Sequence, residues 1–338
     1  MDHRKTNIKD IAKSTSLSIT TVSRVLNGKS KQYRISEKSQ KKIREAAEAL
    51  NYIPNQIAVN LQSGRTRTIA LIIPSLMNPY FSRIAGLINM ELQQMGYATL
   101  ISDSNENPEI EKEELMQMSS RNVEGIIIAP CGNSQDQLRL IQNLKIPVVC
   151  LDRYIEGLEI PFVSTDNYQG AYQATKHFIK NGHTYIACIQ GIESSMPNKL
   201  RIKGFKAALE EEGIKISSIS GYDFSVKNGY TETLLLLQNK PKPSAIFAMS
   251  NTIALGCMKA LKENNFRIPE DISLIAFDDH PYLDYLSTPL TCVEQPVDDI
   301  CKIAVRLLFS LINNEKIKSK QVFLQPTLKF RDSVKQLN

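Results

Sequence analysis

From Thr68 onward the chain keeps one rhythm: a short apolar run bounded by turn residues, then a longer stretch with apolar residues at helical spacing. Ile69–Pro74, Ala98–Ser102, Gly125–Pro130 and Val148–Leu151 are the runs of a first round, with helical stretches such as Tyr80–Met95 and Pro108–Arg121 between them. Runs this short and this apolar suit strands covered on both faces, the setting of parallel sheets joined by helical crossovers. A second round extends from Val163 to Val293, with strands expected at Tyr185–Ile189, Ala245–Met249 and Ser273–Phe277. Two doubly wound α/β lobes with parallel sheets are predicted. A further helix, Asp298–Leu311, carries Ile300, Ile303, Ala304, Leu307 and Leu308 on one face and is expected to pack back on the first lobe.

The first fifty residues follow another pattern. Asn7 is placed to cap a helix by accepting the amide of Asp10, whose charge suits the first helical turn, and Ile8, Ile11 and Ala12 form its apolar stripe. Ser18 is positioned as a second cap, followed by Val22, Val25 and Leu26 at helical spacing, with Ile19, Thr20 and Arg24 left facing outward. A third helix starts behind Ser36 and runs through Ile43, Ala46, Ala47 and Leu50, closing an all-α head. Two short helices with a tight turn match a helix-turn-helix, whose second helix lays its first residues against base edges in the major groove. Plain packing of two amphipathic helices satisfies the same spacing.

Charge separates those alternatives further. Up to Thr66 there are thirteen Lys or Arg against five Asp or Glu, a charge of +8, while the remainder holds 28 basic and 30 acidic side chains. The formal +6 of the whole chain therefore hides a basic head on a nearly neutral body, and phosphate backbone is its natural partner. Lys41, Lys42 and Arg44 taken alone also suit a solvated helix face. No segment has the broad apolar face of an interfacial helix, so a membrane partner is not expected.

The length of 338 residues allows two to three domains. The N-terminus leads into a helix cap instead of an apolar signal region, and no apolar run approaches the roughly 18 residues of a membrane span, so a cytoplasmic protein is expected. Cys131, Cys150, Cys188, Cys257, Cys292 and Cys301 are scattered, none at metal or redox spacing, which fits reduced, buried thiols. His177 and His183 flank a turn, and His3 and His280 stand apart, so no metal site is predicted. Neither a phosphate loop nor a nucleophile elbow is present, and no cofactor or catalytic residue is assigned. Residues 51–64 form a short linker helix, with Pro54 near its start and Gly64 at its stop. About two turns are marginal in isolation, so something else must order them.

Taken together, these residues give the chain a resemblance to the lactose and galactose repressor family. Ile8-Lys9-Asp10-Ile11-Ala12 and Thr21-Val22-Ser23-Arg24-Val25-Leu26-Asn27-Gly28 carry it in the head. Asn51-Tyr52-Ile53-Pro54-Asn55, Asn78-Pro79-Tyr80-Phe81, Arg201-Ile202-Lys203-Gly204-Phe205, Phe277-Asp278-Asp279 and Pro289-Leu290-Thr291-Cys292-Val293-Glu294-Gln295-Pro296 continue it, in order, along nearly the whole chain. The resemblance implies a dimeric transcription regulator, a repressor of carbohydrate-utilisation genes, with a hinge helix and a two-lobed core like periplasmic sugar-binding proteins. The boundaries expected are a head over 1–50, a hinge and linker over 51–66 and a core over 67–338. Within the core, the first lobe takes 67–164 and 297–322 and the second 165–296 and 323–338.

By the same resemblance, Ile19, Thr20 and Arg24 read bases of a pseudo-palindromic operator, while Thr21, Ser23 and Asn27 contact phosphates. Arg24 can bond guanine bidentately, which agrees with the assignment. Ala58 and Leu61 fall where the hinge meets the minor groove, Leu61 as an apolar wedge or, alternatively, as a residue covering its own linker. Val59 and Asn60 depart from the Arg-Ser common there. In the core, Tyr80, Phe81, Asp152, Arg153, Ser195, Arg201, Phe224, Asn251, Asp278 and Gln295 fall where relatives contact effectors, and Tyr80 and Gln295 suit lobe-to-lobe contacts equally well. Asn251 stands where an Asp is common. Balancing Asp152 and Asp278 against Arg153 and Arg201 gives a cleft of zero net charge and a neutral or singly anionic sugar as ligand. No heptad pattern closes the chain, so a homodimer and not a tetramer is expected. Two alternatives stay open: a core controlled mainly by a protein partner, and a sugar-processing enzyme.

Overall fold

The computed structural model describes residues 6–52, 65–131, 140–141, 143–215 and 218–337. Contacts divide the chain into two compact units that meet between Arg67 and Thr68.

The smaller unit holds three helices, α1 (Ile8–Thr15), α2 (Ile19–Leu26) and α3 (Glu37–Ala49). Asn7 Oδ1 accepts the amides of Lys9 at 2.8 Å and Asp10 at 3.3 Å, and Asp10 Oδ2 accepts the Asn7 amide at 2.8 Å, a reciprocal capping box. Ser18 and Ser36 cap α2 and α3 through the amides of Thr21 and Ser39. Each such cap stabilises its helix by about 1 kcal/mol. Ile11, Ala12, Val22, Val25, Ile43 and Ala47 form the small core between the helices. The expected linker helix falls almost wholly on 53–64, outside the described residues.

The larger unit contains two six-stranded sheets. The first comprises β1 (Thr68–Ile73), β2 (Ala98–Asp103), β3 (Gly125–Ile128), β4 (Val148–Leu151), β5 (Phe162–Thr165) and β11 (Gln321–Leu324), in the spatial order β2-β1-β3-β4-β5-β11 and parallel throughout. The second comprises β6 (Ile186–Ile189), β7 (Ser218–Ser220), β8 (Ala245–Ala248), β9 (Ser273–Phe277), β10 (Cys292–Glu294) and β12 (Thr327–Lys329), in the order β7-β6-β8-β9-β10-β12. The pairing of β10 with β12 is antiparallel, so this sheet is mixed and not parallel throughout. Val163 lies in β5 of the first sheet instead of opening the second lobe. Strand β5 ends at Thr165 and β11 at Leu324, so boundaries placed after 164 and 322 fall inside strands.

Helices α4 (Pro79–Gln94), α5 (Pro108–Ser120), α6 (Asn167–Lys180), α7 (Met196–Glu211), α8 (Val226–Gln238), α9 (Asn251–Glu263) and α10 (Val297–Ile312) accompany the strands. Ile300, Ala304, Leu307 and Leu308 of α10 join Ile84 and Ile88 of α4 and Ile69, Leu71 and Ile73 of β1 in one core. The other face of that sheet is covered through Leu115 and Met118 of α5. In the second lobe α8 and α9 approach closely, because a Cβ on Gly229 would lie 2.0 Å from the Ile253 carbonyl and one on Gly256 2.1 Å from that of Val226. All six cysteines are free, and all but Cys131 are buried. Among the described residues no helix is long and apolar enough to cross a membrane, and no group of side chains is fit to hold a metal ion.

Candidate effector cleft and nucleic-acid interface

In open sheets of this winding, ligands gather at the carboxyl ends of the strands where the strand order reverses. Here those ends carry the charged residues. Asp152 is the first residue after β4 and Asp278 the first after β9, both buried and both in the left-handed backbone region, with φ of 62° and 74°. Asp152 Oδ1 accepts the Tyr80 hydroxyl at 2.8 Å. Asp278 Oδ1 accepts Gln295 Nε2 at 2.6 Å, and Gln295 Oε1 in turn receives Thr165 Oγ1 and lies 3.3 Å from the Tyr80 hydroxyl. A continuous polar chain thus runs from the first lobe's carboxylate to the second's. Burial is the chief influence on Asp152 and raises its pKa, opposed by the charges of Arg201 and Arg153.

Arg201, buried on α7, donates to Asn167 Oδ1 at 2.7 Å and to the Met249 carbonyl at 2.6 Å, and its guanidinium lies 3.6 Å from the centre of the Phe277 ring. One terminal nitrogen remains 4.0 Å from Asp278 Oδ1. Arg153 is engaged otherwise. It grips Glu106 through two hydrogen bonds of 2.7 Å, with Phe81 and Phe224 flanking it at 5.4 and 5.6 Å. Phe224 has room only because position 191 is Gly, where a Cβ would sit 2.1 Å from the ring. The cleft so formed is also lined by Asn78, Pro197 and Ser250 and leaves about 20 Å³ free, little more than one water.

Of the residues expected at this site, Tyr80, Phe81, Asp152, Arg153, Arg201, Phe224, Asp278 and Gln295 converge on the cleft. Ser195 and Asn251 do not line it. Ser195 is spent as the cap of α7, accepting the Asn198 amide at 3.4 Å, and Pro197 reaches the cleft in its stead. Asn251 is buried at the start of α9, neither atom of its carboxamide having a partner among the described residues, and Ser250 lines the wall beside it. Glu106 was missing from the sequence reading. Once it is counted, the formal balance of Asp152, Asp278, Glu106, Arg153 and Arg201 is −1 and not zero.

On the head, Ile19, Thr20, Ser23, Arg24 and Asn27 of α2 and its cap line an open concavity together with Lys29 and Tyr33. Ile19 is 46% exposed. Thr21 lies outside the concavity, its hydroxyl 2.8 Å from that of Ser18, and Asn27 Nδ2 donates to Ser23 Oγ at 3.3 Å. Lys29 and Tyr33 escaped the sequence reading, although a basic loop with an aromatic residue, Lys29-Ser30-Lys31-Gln32-Tyr33-Arg34, directly follows α2. Ala58 and Leu61 lie outside the described residues.

Residues 7–55 match the family model described as bacterial regulatory proteins, lacI family, and residues 175–334 match a periplasmic binding protein-like domain. The HTH-type transcriptional regulator DegA of Bacillus subtilis (strain 168) is 34% identical to the chain, over 99% of each. Among solved structures, the lac repressor dimer bound to operator and the anti-inducer ONPF superposes with a TM-score of 0.89 at 26% identity, covering 98% of this chain and 100% of that one. A LacI family transcriptional regulator from Enterococcus faecium with bound ribose superposes with a TM-score of 0.72 at 27% identity, covering 80% of this chain and 100% of that one.

Proposed function

The chain belongs to the LacI family of bacterial regulatory proteins, and from that membership we propose that it is a sequence-specific repressor whose grip on DNA is set by a neutral sugar in the cleft. The observation that carries the effector reading is the polar chain Asp152–Tyr80–Gln295–Asp278, which sets two carboxylates from different lobes around one small space. Paired acceptors of this kind suit the vicinal hydroxyls of a sugar, and the Phe81 and Phe224 rings suit its apolar face. The bound ribose of the Enterococcus faecium neighbour agrees with that chemistry. A cleft with a formal charge of −1 disfavours an anionic ligand, so neutrality is the stronger half of the expectation.

In this reading the protein works as a dimer on a pseudo-palindromic operator, one head per half-site, as the lac repressor dimer sits on its operator. Ile19, Thr20 and Arg24 read bases, Thr21, Ser23 and Asn27 hold phosphates, and Ala58 and Leu61 enter the minor groove at the centre. A ligand that binds one arrangement of the two lobes better shifts the population of that arrangement, and the DNA affinity with it. The repressor acts in the cytoplasm, where its operator is. Catalysis is not part of the proposal, because both cleft carboxylates have binding roles and the relatives are transcriptional regulators.

The test is a binding selection with the full-length protein on random duplexes, followed by titration of the selected operator complex with neutral sugars, sugar acids and sugar phosphates. A shift in DNA affinity with a neutral sugar, without turnover, supports the reading. Response to sugar acids or phosphates alone, or conversion of the sugar, refutes it.

A further inference from the structure

The loop after α2 does more than join two helices. Gly28 takes a φ of 71°, the Lys29 amide donates to the Arg24 carbonyl at 2.9 Å, and the amides of Tyr33 and Ile35 donate to the carbonyls of Lys29 and Ser30 at 3.2 and 3.0 Å. These bonds fold the loop back against the end of α2. The Tyr33 ring is thereby laid on the Arg24 guanidinium, whose carbon lies 3.7 Å from the ring centre. Tyr33 itself is 43% exposed, so the ring is not there to fill the core. Among the described residues the Arg24 guanidinium has no ion-pair partner.

The geometry of that contact matters. A guanidinium stacked on a ring uses its flat face, while all its N–H groups point outward in its plane. Those in-plane donors are the ones that meet guanine O6 and N7 bidentately, so the stack and the base contact are compatible and can act at once. An unsupported arginine must surrender much of its rotamer freedom when it docks; one already held by an aromatic face has less to surrender. Both groups border the same concavity as Ile19 and Thr20. We infer that Tyr33 is a specificity-determining positioning residue: its ring holds Arg24 in the orientation that reads a base, so the loop over 28–35 sets how strictly that base pair is recognised. The inference rests on the base-reading role proposed for Arg24.

The experiment is a selection from duplexes with randomised palindromic half-sites, run in parallel with full-length wild type, Arg24→Ala, Tyr33→Ala, Tyr33→Phe and the Arg24→Ala, Tyr33→Ala double variant. Circular dichroism melts verify that each head is folded. Arg24→Ala should erase the preference at one position of each half-site. Tyr33→Ala should weaken it at that same position and at no other, by roughly twofold to fivefold, the factor corresponding to one surface cation–π stack. Tyr33→Phe keeps the ring and should keep the preference, and the double variant should match Arg24→Ala at that position. An unchanged preference in Arg24→Ala overturns the base-reading premise itself. If Arg24→Ala erases the preference but Tyr33→Ala leaves it whole, or lowers affinity equally for all sequences, the positioning role is wrong while the premise stands.

Discussion

Asp152 and Asp278 occupy equivalent places in the two lobes: each is the first residue beyond the fourth strand of its sheet, counted from the β2 or β7 edge. Each is held in the left-handed region that non-glycine residues seldom adopt, and each offers one carboxylate oxygen to the polar chain through Tyr80 and Gln295. Strain repeated at matched positions of two lobes is the kind of departure that accumulates at ligand clamps. In the proposed reading the pair forms the two jaws of one clamp.

Asp278→Asn removes the charge of one jaw while keeping its shape. Hydrogen bonds to a charged group contribute about 1.5–3 kcal/mol, so the variant should bind its sugar about 10-fold to 100-fold more weakly. Operator binding without sugar should stay within about twofold of wild type. Calorimetric titration of sugar and fluorescence titration of operator check the two halves.

The charge of the cleft should be tunable at Glu106. Glu106→Gln leaves the buried Arg153 without its bidentate partner. Breaking a fully buried pair costs about 3–5 kcal/mol, and the partial exposure of Glu106 should reduce that to about 2 kcal/mol. The freed guanidinium should move ligand preference toward sugar acids. Urea unfolding and a matched pair of sugar and sugar-acid titrations would show both effects; an unchanged preference would remove the charge argument.

Asn251 invites the opposite kind of change. Its buried carboxamide has no partner among the described residues, and an unsatisfied polar group costs about 1–3 kcal/mol. Asn251→Leu, similar in volume, should therefore raise the melting temperature of the sugar-free protein. If that amide is held for a ligand hydroxyl, sugar affinity falls in the same variant, and calorimetry would reveal a drop of about tenfold.

A pH dependence should come from Glu111. Its side chain is buried on α5, with Oε2 accepting the Cys131 amide at 2.8 Å and Oε1 unpartnered among the described residues. Burial raises its pKa to about 7, against the lowering effect of the Cys131 N–H. Between its ordinary pKa and about 7 the folded protein holds a proton that the unfolded chain releases, so stability is greatest at the acid end of that window and falls as pH rises through it. The change is on the order of 3 kcal/mol. Glu111→Gln should flatten the curve of melting temperature against pH between about 5 and 8. A curve that keeps its slope would assign the effect to other groups.

The strands that were legible in the sequence are the ones buried on both faces. Val148–Leu151 and Ser273–Phe277 match to the residue, because four or five consecutive apolar or small side chains leave no other period. The strands Ser218–Ser220, Gln321–Leu324 and Thr327–Lys329 were not legible: they are edge strands, half exposed, and pairing with a neighbour decides them. The cleft shows the same division. Asp152 and Asp278 could be placed from motifs at strand ends, whereas the bond of Arg153 to Glu106 joins residues 47 apart and carries no local sign. Ser195 did carry one, since a Ser two residues before a Pro reads as a helix cap.

The chain crosses between the lobes three times, after β5, after β10 and between β11 and β12. The lobe begun first is therefore closed only after most of the second has been made, with β12 of the second following it. When Pro296 has been added, β6 to β10 of the second sheet are all present, while the first lobe still lacks α10 and β11. Ile300, Ala304, Leu307 and Leu308 lie on the helix that covers the apolar face of β3, β4 and β5. Until they arrive, the lobe made earlier holds an open hydrophobic surface, the kind that chaperones recognise on nascent chains. The first lobe to be translated needs the last eighth of the message to close.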